Sequence, residues 1–444
     1  MPQIKVGKIK SLNGEFVAPA DKSVSQRAVI ISAIAAGKTR IHNFLDCDDC
    51  QNAIRAFGKM GIETKLKDTK DGKLLEVWGR GLYGLIRPKS NIYLGNSGTT
   101  MRIICGLMAA QKFKTVLTGD KLLSARPMRR VIEPLKAMGA DITGCIKDKQ
   151  LYPPLTISGR NLKGVSYKMP VKSAQVKSSI LMAGLYAQGK TKISEILKTR
   201  DHTERMLRLF GADIKVNGLE VAISGKKILI SPGNIYIPGD ISSCAFFIVG
   251  ATIIPGSKII IRGVGLNPTR SYFFTILKRM GADVCILKKK NLHNNSEPCA
   301  DIKVCSSHLS ATVLTEEEVA YCIDELPILA VAACFAKGIT RISHAAELRI
   351  KETDRIYSMV TNLKKMGASI HNEGNDLIIK GTGRLKGATL SSFGDHRTAM
   401  SMAIAGLAAI GDTTIKNTQC INKSYPDFSK ILKNITLAGA KLLV

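Results

Sequence analysis

Two kinds of apolar stretch alternate along the chain. One is apolar almost all round over helical length, as in Ile180–Ala187 and Pro327–Ala336, the pattern of a buried helix. The other is amphipathic, as in Met206-Leu207-Arg208-Leu209-Phe210, and ends on variants of the phrase Met/Phe-Gly-Ala-Asp. The glycines of that phrase are Gly61, Gly139, Gly211, Gly281, Gly367 and Gly439, spaced by 78, 72, 70, 86 and 72 residues. A glycine closing an amphipathic run predicts a helix C-terminus, and the apolar residues beyond it predict a strand. A second phrase, Gly-x-Ser/Thr-x-Ile or a near variant, follows the buried stretches at Gly37, Gly189, Gly256, Gly338 and Gly411, with a degenerate form at Gln111.

The pattern therefore predicts six α/β units, each with a buried helix, a strand, an amphipathic helix and a further strand. The period is too long for a solenoid. Three units can close around three buried helices, so six predict two similar α/β domains divided near Asp240.

The polar starts of the buried helices carry the candidate chemistry. They are Asp21-Lys22-Ser23 with Arg27, Gly95–Arg102, Lys172–Ser178, Gly239–Ser243, Asp324-Glu325-Leu326-Pro327 and Gly394-Asp395-His396-Arg397. Ser, Thr and Asp there are ordinary N-caps, and that reading suffices for Asp240 and Ser242. It does not explain basic residues at or just inside four of the six starts, because cations oppose the helix dipole at that end. Free amides beside a cation make an anion site instead. Charged loops follow the strands at Ser124–Arg130, Thr199–His202, Glu347–Arg355 and Lys423–Asp427.

Composition narrows the classes. With 444 residues, 45% hydrophobic and 23% charged, the chain has ordinary globular make-up and room for two full cores. The opening Met-Pro-Gln-Ile-Lys-Val has no apolar export segment, and the apolar runs are shorter than the roughly 20 residues that span a bilayer. A cytoplasmic location with no membrane partner is expected. Eleven scattered cysteines offer one close pair, Cys47 and Cys50, with no second pair to complete a site. Reduced thiols and no metal are expected. The net charge of +30 suits either nucleic acid or small anions. The lysines are spread out, Lys288–Lys290 being the longest run, and aromatics are only 5%, which leaves little for stacking on single strands. Small anionic substrates are expected, and no specific nucleic acid.

Taken together and in order, the motifs resemble the 5-enolpyruvylshikimate-3-phosphate synthase (3-phosphoshikimate 1-carboxyvinyltransferase) family. They are Asp21-Lys22-Ser23 with Arg27, Gly95–Arg102, Arg126-Pro127-Met128, Ser173-Ala174-Gln175, Asp324-Glu325-Leu326-Pro327, Lys351–Arg355, Asp395-His396-Arg397, and Lys423 before Pro426-Asp427. The resemblance implies the enolpyruvyl transferase fold, two inverse α/β domains with the site in the cleft between them. It places residues 1–21 with 241–444, and 22–240 in the other domain. It implies a monomer without cofactor that transfers the enolpyruvyl group of phosphoenolpyruvate to the 5-hydroxyl of shikimate 3-phosphate, releasing phosphate on the route to chorismate and aromatic amino acids.

By matching position, the resemblance makes Asp324 the base toward the 5-hydroxyl and Glu352 the acid toward C3 of phosphoenolpyruvate. Lys22 bridges the substrates and steadies the leaving oxygen. Shikimate 3-phosphate falls to Lys22, Ser23, Arg27, Ser173, Ala174, Gln175, Asp324 and Lys351. Phosphoenolpyruvate falls to Lys22, Gly98, Arg126, Gln175, Arg355, Arg397 and Lys423. Arg200 is a further candidate phosphate contact, balanced against a surface salt bridge, and His396 is open between a structural and a site role. Ala174 stands where many members have serine, and Glu347 where many have asparagine. Two alternatives are the related transferase acting on UDP-N-acetylglucosamine and a basic protein binding RNA ends. The first carries a cysteine in its mobile loop, whereas the matching loop here, Gly119–Arg130, has none.

Overall fold

The structure, a computed structural model, describes residues 2–70, 72–290 and 297–436, with backbone only at Lys288–Lys290. Gly439 of the repeated phrase lies outside the described residues. Contacts divide the chain into two units. One comprises Met1–Pro19, Gly239–Lys290 and Pro298–Val444, and the other Ala20–Pro238 together with Asn291–Glu297. The crossings fall two residues before the boundaries read from the sequence. Asp21 caps a helix of the unit it enters, and Asp240 does the same in the other.

Each unit holds three buried helices. In the unit containing Ala20–Pro238 these are α1 (Lys22–Ala33), α2 (Gly98–Met108) and α3 (Ala174–Gly184). In the other they are α4 (Ile241–Ile253), α5 (Leu326–Cys334) and α6 (His396–Ala408). All six are buried along nearly their whole length, and each trio forms the centre of its own hydrophobic core. The polar starts do cap these helices. Asp21, Ser97, Ser173, Asp240 and Asp395 each accept a hydrogen bond from a first-turn N–H, whereas α5 carries in its first turn Pro327, which has no N–H to satisfy.

Among the described residues six small sheets accompany the helices, and five share one plan. In the sheet of Ile92–Tyr93, Lys114–Thr118, Gln150–Ser158 and Asp141–Lys147, in that order, the first pair is parallel and the other two are antiparallel. The same plan recurs in each unit with its ends exchanged. Ala36–His42 takes its parallel partner from Asn234–Tyr236, near the end of that unit. Lys258–Gly265 takes its parallel partner from Asn13–Val17, near the start of the chain.

The repeated glycine does the same job five times. Gly61, Gly139, Gly211, Gly281 and Gly367 have φ of 85°, 96°, 83°, 96° and 80°, the left-handed region. The following N–H then turns back onto a carbonyl five residues earlier: Ile62 to Phe57, Ala140 to Leu135, Ala212 to Leu207, Ala282 to Leu277 and Ala368 to Leu363. This ending satisfies orphan carbonyls and aims the chain into the next strand.

Candidate active site

In the unit built on α1–α3, the predicted residues gather at the helix starts. Lys22 is the first residue of α1 and pairs with Asp49 at 3.1 Å. One turn on, Arg27 is buried, and its direct partners are neutral. Nε donates to Thr203 Oγ1 at 2.7 Å, Nη1 to the Ser23 carbonyl at 3.0 Å and Nη2 to Ser178 Oγ at 3.2 Å. Burial pulls its pKa down to about 10, against the pull of Asp21 and Glu204 and with the push of nearby Arg200. Arg27 remains a cation at neutral pH, and an incoming anion would supply the charge compensation its hydroxyl partners lack.

The glycine loop is fixed from behind. Ser97 caps α2, and Gln26 Nε2 donates to Ser97 Oγ at 2.7 Å and Thr100 Oγ1 at 3.1 Å. Asn96 donates to Asp120 and accepts from Arg126, which orients that guanidinium beside Gly98. A methyl at Gly98 would lie 2.9 Å from Arg126 Nη1 and 3.2 Å from Arg102 Nη1, so the absent side chain is what lets both arginines approach the helix start. Gln175 is held at both ends, accepting from Arg102 Nη1 at 2.7 Å and donating to Thr99 Oγ1 at 3.0 Å. Ser173 caps α3 immediately before Ala174. Beneath them Lys177, fully buried, pairs with Glu195 at 3.0 Å and Glu204 at 2.6 Å. Burial raises the pKa of Glu204 despite Lys177.

In the other unit the pattern is inverted. Arg355 opens the helix Arg355–Lys365 and is completely buried among carboxylates. Nε donates to Asp395 at 2.9 Å, Nη1 to Asp324 at 3.2 Å and Nη2 to Glu352 at 2.6 Å. Burial alone would lower its pKa, but Asp395, Glu352 and Asp324 outweigh that and raise it. Arg397 Nη1 donates to the Asp324 carbonyl at 3.0 Å, with Nε 3.5 Å from its carboxylate. Asp395 also caps α6 through the Arg397 and Thr398 N–H groups, so one carboxylate fixes both arginines. Lys351 is half-buried. Burial lowers its pKa, although Asp324, Glu347 and Glu352 pull it up, and Arg355 adds to the lowering. His396 is buried as the first residue of α6.

Asp324, Glu352, Arg355 and Arg397 thus form one bonded network, with Lys351 in its field. Lys423 ends the short helix Thr418–Lys423 and makes no ion pair with that network among the described residues. On the other unit, Arg27, Ser23 and Arg200 lie together, as do Gly98, Arg126 and Gln175. Sequence reading missed Asp49, Asn96 and Thr203 as partners. Asp49 sits at the start of its own helix, and its acidic pair Asp48-Asp49 reads as ordinary helix-start charge. Cys47 and Cys50 are buried free thiols, and no cluster of three His, Cys, Asp or Glu suited to a metal occurs among the described residues.

Comparison with known proteins decides the family. The family model for EPSP synthase (3-phosphoshikimate 1-carboxyvinyltransferase) matches residues 6–432. The chain belongs to this family. The 3-phosphoshikimate 1-carboxyvinyltransferase of Geobacter sulfurreducens is 47% identical over 428 residues, covering 96% of this chain and 98% of that protein. That of Thermoanaerobacter sp. is 45% identical over 433 residues, covering 96% and 98%. A crystal structure of EPSP synthase from Acinetobacter baumannii superposes with a TM-score of 0.86 at 41% identity, covering all of both chains. The fold is the enolpyruvyl transferase fold, the chain is a transferase, and the UDP-sugar and RNA-end readings are not favoured. No helix among the described residues is long and apolar enough to cross a membrane.

Proposed function

We propose that the two clusters serve one reaction, transfer of the carboxyvinyl group of phosphoenolpyruvate to the 5-hydroxyl of shikimate 3-phosphate, in a cytoplasmic, monomeric enzyme. The observation that carries this reading is Arg355 shared by Asp324 and Glu352. Two candidate acid–base carboxylates are held on one guanidinium that is itself suited to a substrate carboxylate.

The chemistry needs a proton delivered to C3 of phosphoenolpyruvate and one removed from the attacking hydroxyl as its oxygen bonds to C2. The C3 proton then leaves as the C2–phosphate bond breaks. Asp324, fixed by Arg355 and the Arg397 side chain, is the base toward the hydroxyl. Glu352 serves C3. When Arg355 turns to a bound carboxylate, Glu352 is released from its 2.6 Å ion pair and is free to meet C3. Ser23, Arg27, Ser173, Ala174, Gln175 and Lys351 hold shikimate 3-phosphate. Gly98, Arg126, Arg355, Arg397 and Lys423 hold phosphoenolpyruvate. Lys22 and Gln175 serve both, and Lys22 is freed from Asp49 to meet the leaving phosphate.

Phosphate release from the purified protein tests this. Release is expected only with both substrates present and is lost in Asp324→Ala and Lys22→Ala. Release with phosphoenolpyruvate alone, or full activity in either folded variant, rejects the assignment.

A further inference from the structure

The unit built on α1–α3 contains a second concavity that none of this chemistry uses. It is an open cavity of about 780 Å³ beyond the C-terminal ends of α2 and α3, lined by residues that follow those helices and by the loops of Gly159–Lys163 and Lys226. Its size is that of a site for a small organic ligand. Its wall carries Lys112, Arg160, Lys163 and Lys226 and no carboxylate.

Helix C-termini attract cations, so the lysines could be there only to cap the helices. The hydrogen bonds argue against that. The carbonyls at these helix ends are already taken by backbone N–H groups: Ala109 by Arg160 and Leu185 by Lys226. Arg160 is paired with Asp141 at 2.8 Å. Lys112, Lys163 and Lys226 are exposed and have no ion-pair partner among the described residues. On the wall, Tyr186 is buried beside Gln111, which interacts with its hydroxyl. Tyr83, exposed, meets the Tyr186 ring edge-on with centroids 5.4 Å apart. The cavity therefore offers three ammonium groups without ion-pair partners among the described residues and an exposed aromatic ring.

We propose that this cavity binds a small multiply charged phosphate anion, the chemistry shared by inorganic pyrophosphate and nucleoside triphosphates. Ammonium groups without carboxylate competitors suit phosphate oxygens as point charges, and the Tyr83 ring can stack on a base if one is attached. This gives a purpose to part of a charge excess that the reaction site does not account for.

The test is calorimetric titration of the full chain with pyrophosphate and with ATP at physiological salt. It is run in the wild type and in Lys22→Ala, which weakens phosphate binding at the reaction site. Binding is expected to survive Lys22→Ala and to weaken at least about tenfold in K112E/K163E/K226E, as loss of charge-assisted contacts implies. These three side chains are exposed, so the triple variant should keep its turnover, which shows that it is folded. Tighter binding of ATP than of pyrophosphate identifies a nucleotide as the ligand, and equal binding identifies the phosphates alone. Binding that is lost in Lys22→Ala but kept in the triple variant overturns the proposal. So does affinity that rises with oligonucleotide length, which would make the face a nucleic-acid surface.

Discussion

Arg27 and Arg355 are both buried arginines near helix starts, yet they are solvated in opposite ways. Arg27 is held by two hydroxyls and a carbonyl, and burial lowers its pKa to about 10. Arg355 is held by three carboxylates that raise its pKa. In the proposed reaction the first is a cation awaiting an anion. The second is a cation already neutralised, whose partners would gain freedom if a substrate took their place. One arrangement is suited to capture and the other to proton transfer, and the difference lies in the partners rather than in the arginine.

The sharpest way to break this contrast is Arg355→Leu. Three carboxylates would lose their shared counter-ion, and a cost of about 3–5 kcal/mol is expected in denaturant unfolding. A cost below 1 kcal/mol would mean that the carboxylates do not depend on Arg355. Arg27→Leu should behave differently. Its stability should be unchanged or raised, because a poorly compensated buried charge is removed, while affinity for shikimate 3-phosphate falls about 100-fold, or roughly 2.7 kcal/mol. Equal destabilisation by the two substitutions would erase the distinction.

Gly98→Ala is a smaller perturbation. The added methyl pushes on Arg126 and Arg102, and KM for phosphoenolpyruvate is expected to rise about fivefold with little change in affinity for shikimate 3-phosphate. A rise in both would place Gly98 in the general frame of the site. The smallest effect sharpens the contrast from its mirror image. Glu76 is one carboxylate ringed by Lys38 at 2.5 Å, Lys67 at 2.6 Å and Arg40 at 3.5 Å. Hydrogen bonds from Lys38 and Lys67 lower its pKa from 4.5 to about 2. Such a lowered carboxylate stabilises the fold above pH 4.5 and loses that contribution as pH falls toward 2. Glu76→Gln should therefore lower Tm slightly at pH 7, and the deficit should vanish near pH 2. A deficit independent of pH would assign the effect to packing.

Much of the molecule was legible because it repeats. A C-terminal glycine and a buried apolar run are local signals, and the repeated phrase names five helix endings that share one hydrogen-bond pattern. The helix starts were legible for the same reason, since capping is decided within a turn. Partner choice was not. Arg102 meets Gln175, and Arg27 meets Thr203 and Ser178, across different repeats, and nothing in the local pattern says which polar group a buried arginine will face. The charge run Lys351–Arg355 shows the limit most clearly. Taken alone it reads as a solvated helix face, yet its last residue is a charge buried to within 1% of full enclosure.

The exchanged strands set a timetable for synthesis. Asn13–Val17 leaves the ribosome some 245 residues ahead of its sheet partner Lys258–Gly265. The unit of Ala20–Pro238, by contrast, has all its strands once Asn234–Tyr236 has emerged to pair with Ala36–His42. That unit can close while the chain is still growing, and the early strand must wait unpaired beside it. The exposed Lys8 and Lys10, close to that strand, and the exposed Glu15 within it keep the waiting segment charged, which guards an unpaired edge against neighbouring chains.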